Sequence, residues 1–88
     1  MINIDEISLT DRTNAAVTRL ERAMTLHSPE AKFFLAIIKV AITDLKHDGL
    51  LGDKALAYLT AGKTIYHAEM ININTEWLRD TLNRLHLI

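Results

Sequence analysis

Cysteine is missing from all 88 residues. Disulfide scaffolds, thiolate-bound zinc and cysteine nucleophiles are thereby excluded, and a reducing compartment suits the composition. Proline occurs once and glycine three times, too rarely for a loop-rich or low-complexity chain. Charge of one sign is also lacking: ten Lys and Arg stand against eleven Asp and Glu, a net charge of −1. The strongly basic balance usual in nucleic-acid binders is therefore absent, although a basic face offset by an acidic one elsewhere gives the same sum. The longest uncharged apolar run, Phe33 to Ile38, is stopped by Lys39 and falls far short of the ~20 residues that span a bilayer. The opening residues carry Asp5 and Glu6 with no Lys or Arg before Arg12, so the basic start of a secretory signal is missing. A cytoplasmic protein that does not engage the membrane is expected.

What is present is ample apolar material, 49% of the chain against 24% charged, which specifies one packed core and a single domain over residues 1–88. Its periodicity is helical. Val17, Leu20 and Met24 with Ala16 and Ala23 form a stripe opposite Arg12, Arg19 and Arg22, predicting a first helix capped by Thr10 or Asp11 and running to about Leu26. Ser28, Pro29 and Glu30 then mark a new start: a cap, a first-turn proline and an acid at the positive end of the dipole. From Phe33 to Leu45 that second helix is apolar on most sides, with Lys32, Lys39, Asp44 and Lys46 as a narrow wet edge, so burial by its neighbours is expected. Gly49 reads as the left-handed residue that ends it, and Asp48 to Asp53 as a loop. Asp53 is expected to cap a third helix, containing Leu56 and Tyr58, through Leu59 up to a stop at Gly62. A fourth helix runs from Thr64 to Ile71, breaks at Asn72, and is followed by a last one capped by Asn74 and carrying Trp77, Leu78, Leu82 and Leu85. The class is all-α, a compact bundle of four to five helices with a helix-turn-helix-like C-terminal half.

That half rests on residue types at fixed offsets. Ala68 allows close approach of two helices, Ile71 and Ile73 flank the turn, Asn72 tolerates positive φ, and Leu78 points inward from the second helix. His67 and Thr81 occupy positions that usually hold apolar inward residues, and Leu82 is the expected substitute for Thr81. If the last helix reads DNA, Thr75, Glu76, Arg79, Asp80 and Asn83 face outward, with Arg79 and Asn83 suited to base edges and Lys63 to phosphate. Glu76 and Asp80 oppose that role, and Asp80 pairs more simply with Arg84 four residues on. Trp77 is assigned to the core, or else to a partner as an interface anchor. The apolar ends, Ile2, Ile4 and Ile7 and the final Leu85-His86-Leu87-Ile88, expose surface unless they pack on something. A homodimer, with residues 1–8 as a flexible or exchanged arm, is the economical arrangement.

The remaining polar residues have plain explanations. No histidine among His27, His47, His67 and His86 has a His or Glu four residues away, so no metal site is expected. His47 suits a surface pair with Asp44 or the negative end of a helix. Ser8 precedes a helix and Ser28 caps one; neither has a base in view. No cofactor, small-molecule substrate or catalytic activity is expected.

Three motifs carry a family likeness: Ala41-Ile42-x-Asp44-Leu45, then Ala55-Leu56-Ala57-Tyr58-Leu59, then Ile73 followed by a short turn and Trp77-Leu78-Arg79. On these the chain from Ile37 onward, a little over half of it, resembles a set of short phage and prophage proteins, with Asn74-Thr75 where those carry aspartate-proline. The resemblance implies a mobile-element origin and a helix-turn-helix-like second half. Two readings of function follow: a phage-type regulator that binds DNA through Lys63, Thr75, Arg79 and Asn83, or a module that binds and modulates a host or phage protein through Trp77.

Overall fold

Helix boundaries follow from local chemistry that single residues supply. The computed structural model describes residues 4–25 and 28–88, so the expected helix end at Leu26, His27 and the first part of the arm with Ile2 lie outside the described residues. Among the described residues a 3-10 turn at Ile4–Glu6 precedes α1 (Leu9–Ala23), α2 (Pro29–Asp44), α3 (Leu50–Thr60), α4 (Gly62–Met70) and α5 (Thr75–Arg84), with no strand. The all-α class holds. Helix α2 lies at the centre, packed against α1, α3 and α4, while α5 rests on α4 and α1. The radius of gyration of 12.6 Å is close to the ~12 Å of a compact chain of this length.

Caps decide where helices begin. Ser28 does cap α2, its hydroxyl accepting the Ala31 N–H at 3.1 Å, with Pro29 in the first turn. The cap of α1 is Ser8, not Thr10 or Asp11: its hydroxyl accepts the Asp11 N–H at 3.1 Å, and the Thr10 carbonyl instead accepts the buried Thr13 hydroxyl. Helix α1 also ends sooner than expected, at Ala23, because Met24 turns extended and is buried.

The glycines sit at helix starts rather than stops. Gly49, at φ 76°, is the N-cap of α3, and its carbonyl accepts the Asp53 N–H at 3.0 Å. The stretch read as a loop is therefore the first turn of α3, where Asp53 complements the dipole instead of capping. Gly62 likewise opens α4, two residues before the expected start. The buried Thr64 hydroxyl ties α4 back by donating to the Tyr58 carbonyl.

Leu20, Ile38, Ile42, Leu59, Ile71, Leu78 and Leu82 are the large, fully enclosed core side chains. Burial of α2 on most sides does not occur, since Phe33 is 62% and Val40 59% exposed. Only three helices contact α2, so the line through Phe33, the half-buried Ile37 and Val40 is left outward. The C-terminal apolar run is instead enclosed: Leu85 and Leu87 are buried and Ile88 packs on the core. Ile4 is half-buried on the same core.

Candidate interaction site

The corner between α4 and α5 is a tight helix end. Asn72 adopts φ 58°, its N–H donates to the Glu69 carbonyl at 3.0 Å, and the Ile73 N–H reaches back to the Ala68 carbonyl at 2.9 Å. This six-residue closure satisfies carbonyls that would otherwise be orphaned, and it sets buried Ile73 beside buried Ala68. Asn74 then caps α5 by accepting the Trp77 N–H at 3.1 Å. The left-handed residue, the close alanine and the flanking isoleucines stand as the spacing predicts. Because Asn enters this region less freely than Gly, Asn72→Gly is expected to raise stability by about 0.5 kcal/mol, and Asn72→Val to lower it by about 1–2 kcal/mol. Urea unfolding reads both; a glycine variant weaker than the parent would show that the asparagine side chain holds the turn.

From this corner α5 turns Leu78, Thr81 and Leu82 inward, so Thr81 keeps its inward place and Leu82 joins it. Glu76, Trp77, Arg79, Asp80, Asn83 and Arg84 lie outward, and Thr75 is half-buried. Asp80 and Arg84 form the expected pair at 2.9 Å. Trp77 is not a core residue: a helix this short buries one face against α4 and α1, and Trp77, at its edge, stays 36% exposed.

Of the four residues assigned to a DNA face, the structure brings Thr75 and Arg79 together. They line a shallow groove of ≈ 520 Å³ between α4 and α5 with Ile65, Glu69, Ile73, Asn74 and Glu76. Asn83 lies outward one turn beyond Arg79, while Lys63 sits in the first turn of α4 and does not line the groove. Two carboxylates, Glu69 and Glu76, thus share the groove with one guanidinium. With two negative charges to one positive in its lining, the groove as a whole disfavours a phosphate.

A second feature escaped the sequence. Phe33, Phe34, Tyr58, Tyr66 and His67 gather where α2, α3 and α4 meet. Phe34 lies edge-on to both Phe33 and Tyr66, with ring centroids 5.5 and 6.2 Å apart, and 5.1 Å from the His67 ring. The Tyr58 hydroxyl and His67 Nδ1 share a hydrogen bond of 2.6 Å. His67 thereby fills its inward position as an amphipathic ring, apolar faces against aromatics and one nitrogen satisfied. Burial pushes the Tyr58 hydroxyl above the ordinary phenol range, with Thr64 opposing, so it is protonated at neutral pH. Compared with known proteins, the chain matches no family model, no curated protein and no solved structure. Its chemistry is read from these residues alone. Among the described residues no three His, Asp or Glu side chains gather as a metal site, and no helix is long and apolar enough to cross a membrane.

Proposed function

We propose that the chain is a non-catalytic regulatory module of phage or prophage type, working in the host cytoplasm by binding another protein through the outward face of α5. Trp77 is its anchor. The observation that carries this reading is the groove beside α5, where Glu69 and Glu76 stand against Arg79. On the helix itself Glu76 and Asp80 balance Arg79 and Arg84, and Arg84 is already engaged by Asp80. A mixed-sign face with a partly exposed tryptophan and arginines has the composition of a protein interface rather than of a phosphate-binding one. A DNA-reading role through Thr75, Arg79, Asn83 and Lys63 is the second reading. It is favoured by the Asn72 corner, whose left-handed turn followed by the Asn74 cap joins α4 to α5 with the local chemistry that a helix-turn-helix needs.

Two measurements separate them. Trp77 is the sole tryptophan, so its emission reports directly on α5. Titration with random duplex DNA at low salt is expected to leave emission and anisotropy unchanged; binding that weakens steeply as salt rises would overturn the protein-binding reading. For a protein captured from host lysate, Trp77→Ala is expected to weaken binding by at least about 30-fold, as a central anchor does, with the helical signal intact. Equal affinity of variant and parent would remove Trp77 from the contact.

A further inference from the structure

We propose that the aromatic face of α2 and α4 is a two-fold interface between two copies of this chain, with α4 crossing its counterpart in the antiparallel sense at Tyr66. The face is continuous. Phe33 meets Phe34, Phe34 meets Tyr66, and Met70 follows one helical turn after Tyr66. Along α2 the strip extends through Ile37 to Val40. Phe33 is 62%, Val40 59%, Tyr66 57% and Met70 41% exposed.

Area favours a partner of protein size. At about 200 Å² per aromatic side chain, Phe33 and Tyr66 alone leave about 240 Å² of largely apolar surface bare. Val40 and Met70 bring the strip to roughly 400 Å², about the apolar half of the ~800 Å² that each partner contributes to a stable interface. A patch of this size on a small chain marks a contact surface.

The arrangement about Tyr66 identifies the occupant as a second copy. Lys63 lies three residues before Tyr66 and Glu69 three after it, one to each side of the same helix face. Neither forms an ion pair among the described residues. An antiparallel two-fold crossing at Tyr66 sets each Lys63 level with the other copy's Glu69, whereas a parallel crossing sets each Lys63 level with the other copy's Lys63. Four residues out, the same operation brings Met70 toward Gly62 of the other copy, where no atom lies within 4 Å of the missing Cβ. Charge and bulk are both self-complementary, as an isologous interface requires. This pairing leaves α5 free, so it stands or falls separately from the role given to Trp77.

Sedimentation equilibrium and light scattering on the full chain test it. The parent is expected to have twice the chain mass at about 100 μM and to dissociate on dilution, with a Kd in the micromolar range. Tyr66→Glu is expected to be monomeric throughout. Since Tyr66 also touches Phe34 and His67, charge variants that leave the rings intact provide the independent check. Lys63→Glu is expected to weaken the dimer at least about tenfold, and the double change Lys63→Glu with Glu69→Lys to restore it. A parent that remains monomeric at about 100 μM overturns the proposal and leaves the strip to a different protein. A double variant no tighter than Lys63→Glu overturns the two-fold geometry.

Discussion

Gly52→Ala is expected to cost about 3 kcal/mol and to lower the melting temperature by about 12–24 °C. A Cβ at Gly52 would overlap the His47 carbonyl oxygen, with the His47 carbonyl carbon at 3.3 Å and the Asp44 carbonyl oxygen at 3.6 Å. All three are backbone atoms of the end of α2 and of the connection that follows it, held by the bond from the His47 N–H to the Asp44 carbonyl at 3.0 Å. No flexible side chain is there to swing aside, so relief requires α3 to move away from α2. A glycine inside a helix is itself about 1 kcal/mol worse than alanine; its tolerance here reflects the space it leaves. Gly62→Ala is the matched control. Nothing lies within 4 Å of that position, and alanine there is expected to be neutral or stabilising by about 0.5 kcal/mol. Thermal unfolding monitored by circular dichroism, at a protein concentration below dimer dissociation, compares the two directly. Equal melting temperatures would show that the α2–α3 corner has slack.

The same glycines show where a sequence stops being legible. Ser28-Pro29-Glu30 announces a helix start unambiguously because each residue contributes a separate, directional signal. Asn72 and Asn74 are similarly readable, one tolerating positive φ and the other accepting an N–H. Glycine carries no direction: it marks room or an unusual φ, and both are needed at the start of α3 as much as at an end. Read as helix stops, Gly49 and Gly62 therefore fall on the wrong side of their helices. Ser8 fell to a competing pattern, since Thr10 and Asp11 are equally good caps until the chain is seen to bury Leu20 and Ala16 from a start at Leu9.

Burial was legible only in part for a geometric reason. A helix apolar on most sides, such as α2, signals enclosure, but in a chain of 88 residues three short neighbours cannot wrap it. Phe33 and Val40 are the remainder. At the candidate site, Thr75 and Arg79 could be paired from helical spacing, whereas Glu69 lies across the turn and enters the groove only through the angle that Asn72 sets. The Tyr58–His67 bond joins α3 to α4, and the Phe34 ring reaches both from α2. No local periodicity encodes a contact between three elements. The two-fold relation among Lys63, Tyr66 and Glu69, by contrast, is written within one helix, yet it acquires meaning only once Tyr66 is known to face outward.

Arg12→Ala is the second large expected effect, about 2 kcal/mol of stability and about 8–16 °C in melting temperature. By sequence Arg12 belongs with Arg19 and Arg22 on the wet side of α1, but it is half-buried where those two are exposed. Its Nε donates to the Ile7 carbonyl at 3.1 Å, and one terminal nitrogen donates to the carbonyls of Leu85 and His86 at 3.2 and 3.0 Å. These two carbonyls belong to the C-cap Leu85 and to His86 just past it, at the negative end of the α5 dipole, so a guanidinium there is favoured both as donor and as charge. A second tight helix end completes the junction: His86 at φ 56° donates to the Asn83 carbonyl at 3.0 Å, and the Leu87 N–H to the Leu82 carbonyl at 2.9 Å, which folds Leu87 into the core. Arg12 thus joins the segment before α1 to the end of α5, two parts of the chain more than seventy residues apart. Lysine carries the charge but not the fork, so Arg12→Lys is expected to recover less than half of the loss. Amide exchange locates the effect. In Arg12→Ala the Leu85, His86 and Leu87 amides are expected to exchange faster while those of α2 and α3 keep their protection relative to global unfolding. A uniform change across the chain would mean that the end of α5 opens only with the whole fold, and stability within about 0.5 kcal/mol of the parent would mean that the three carbonyls are equally well served by water.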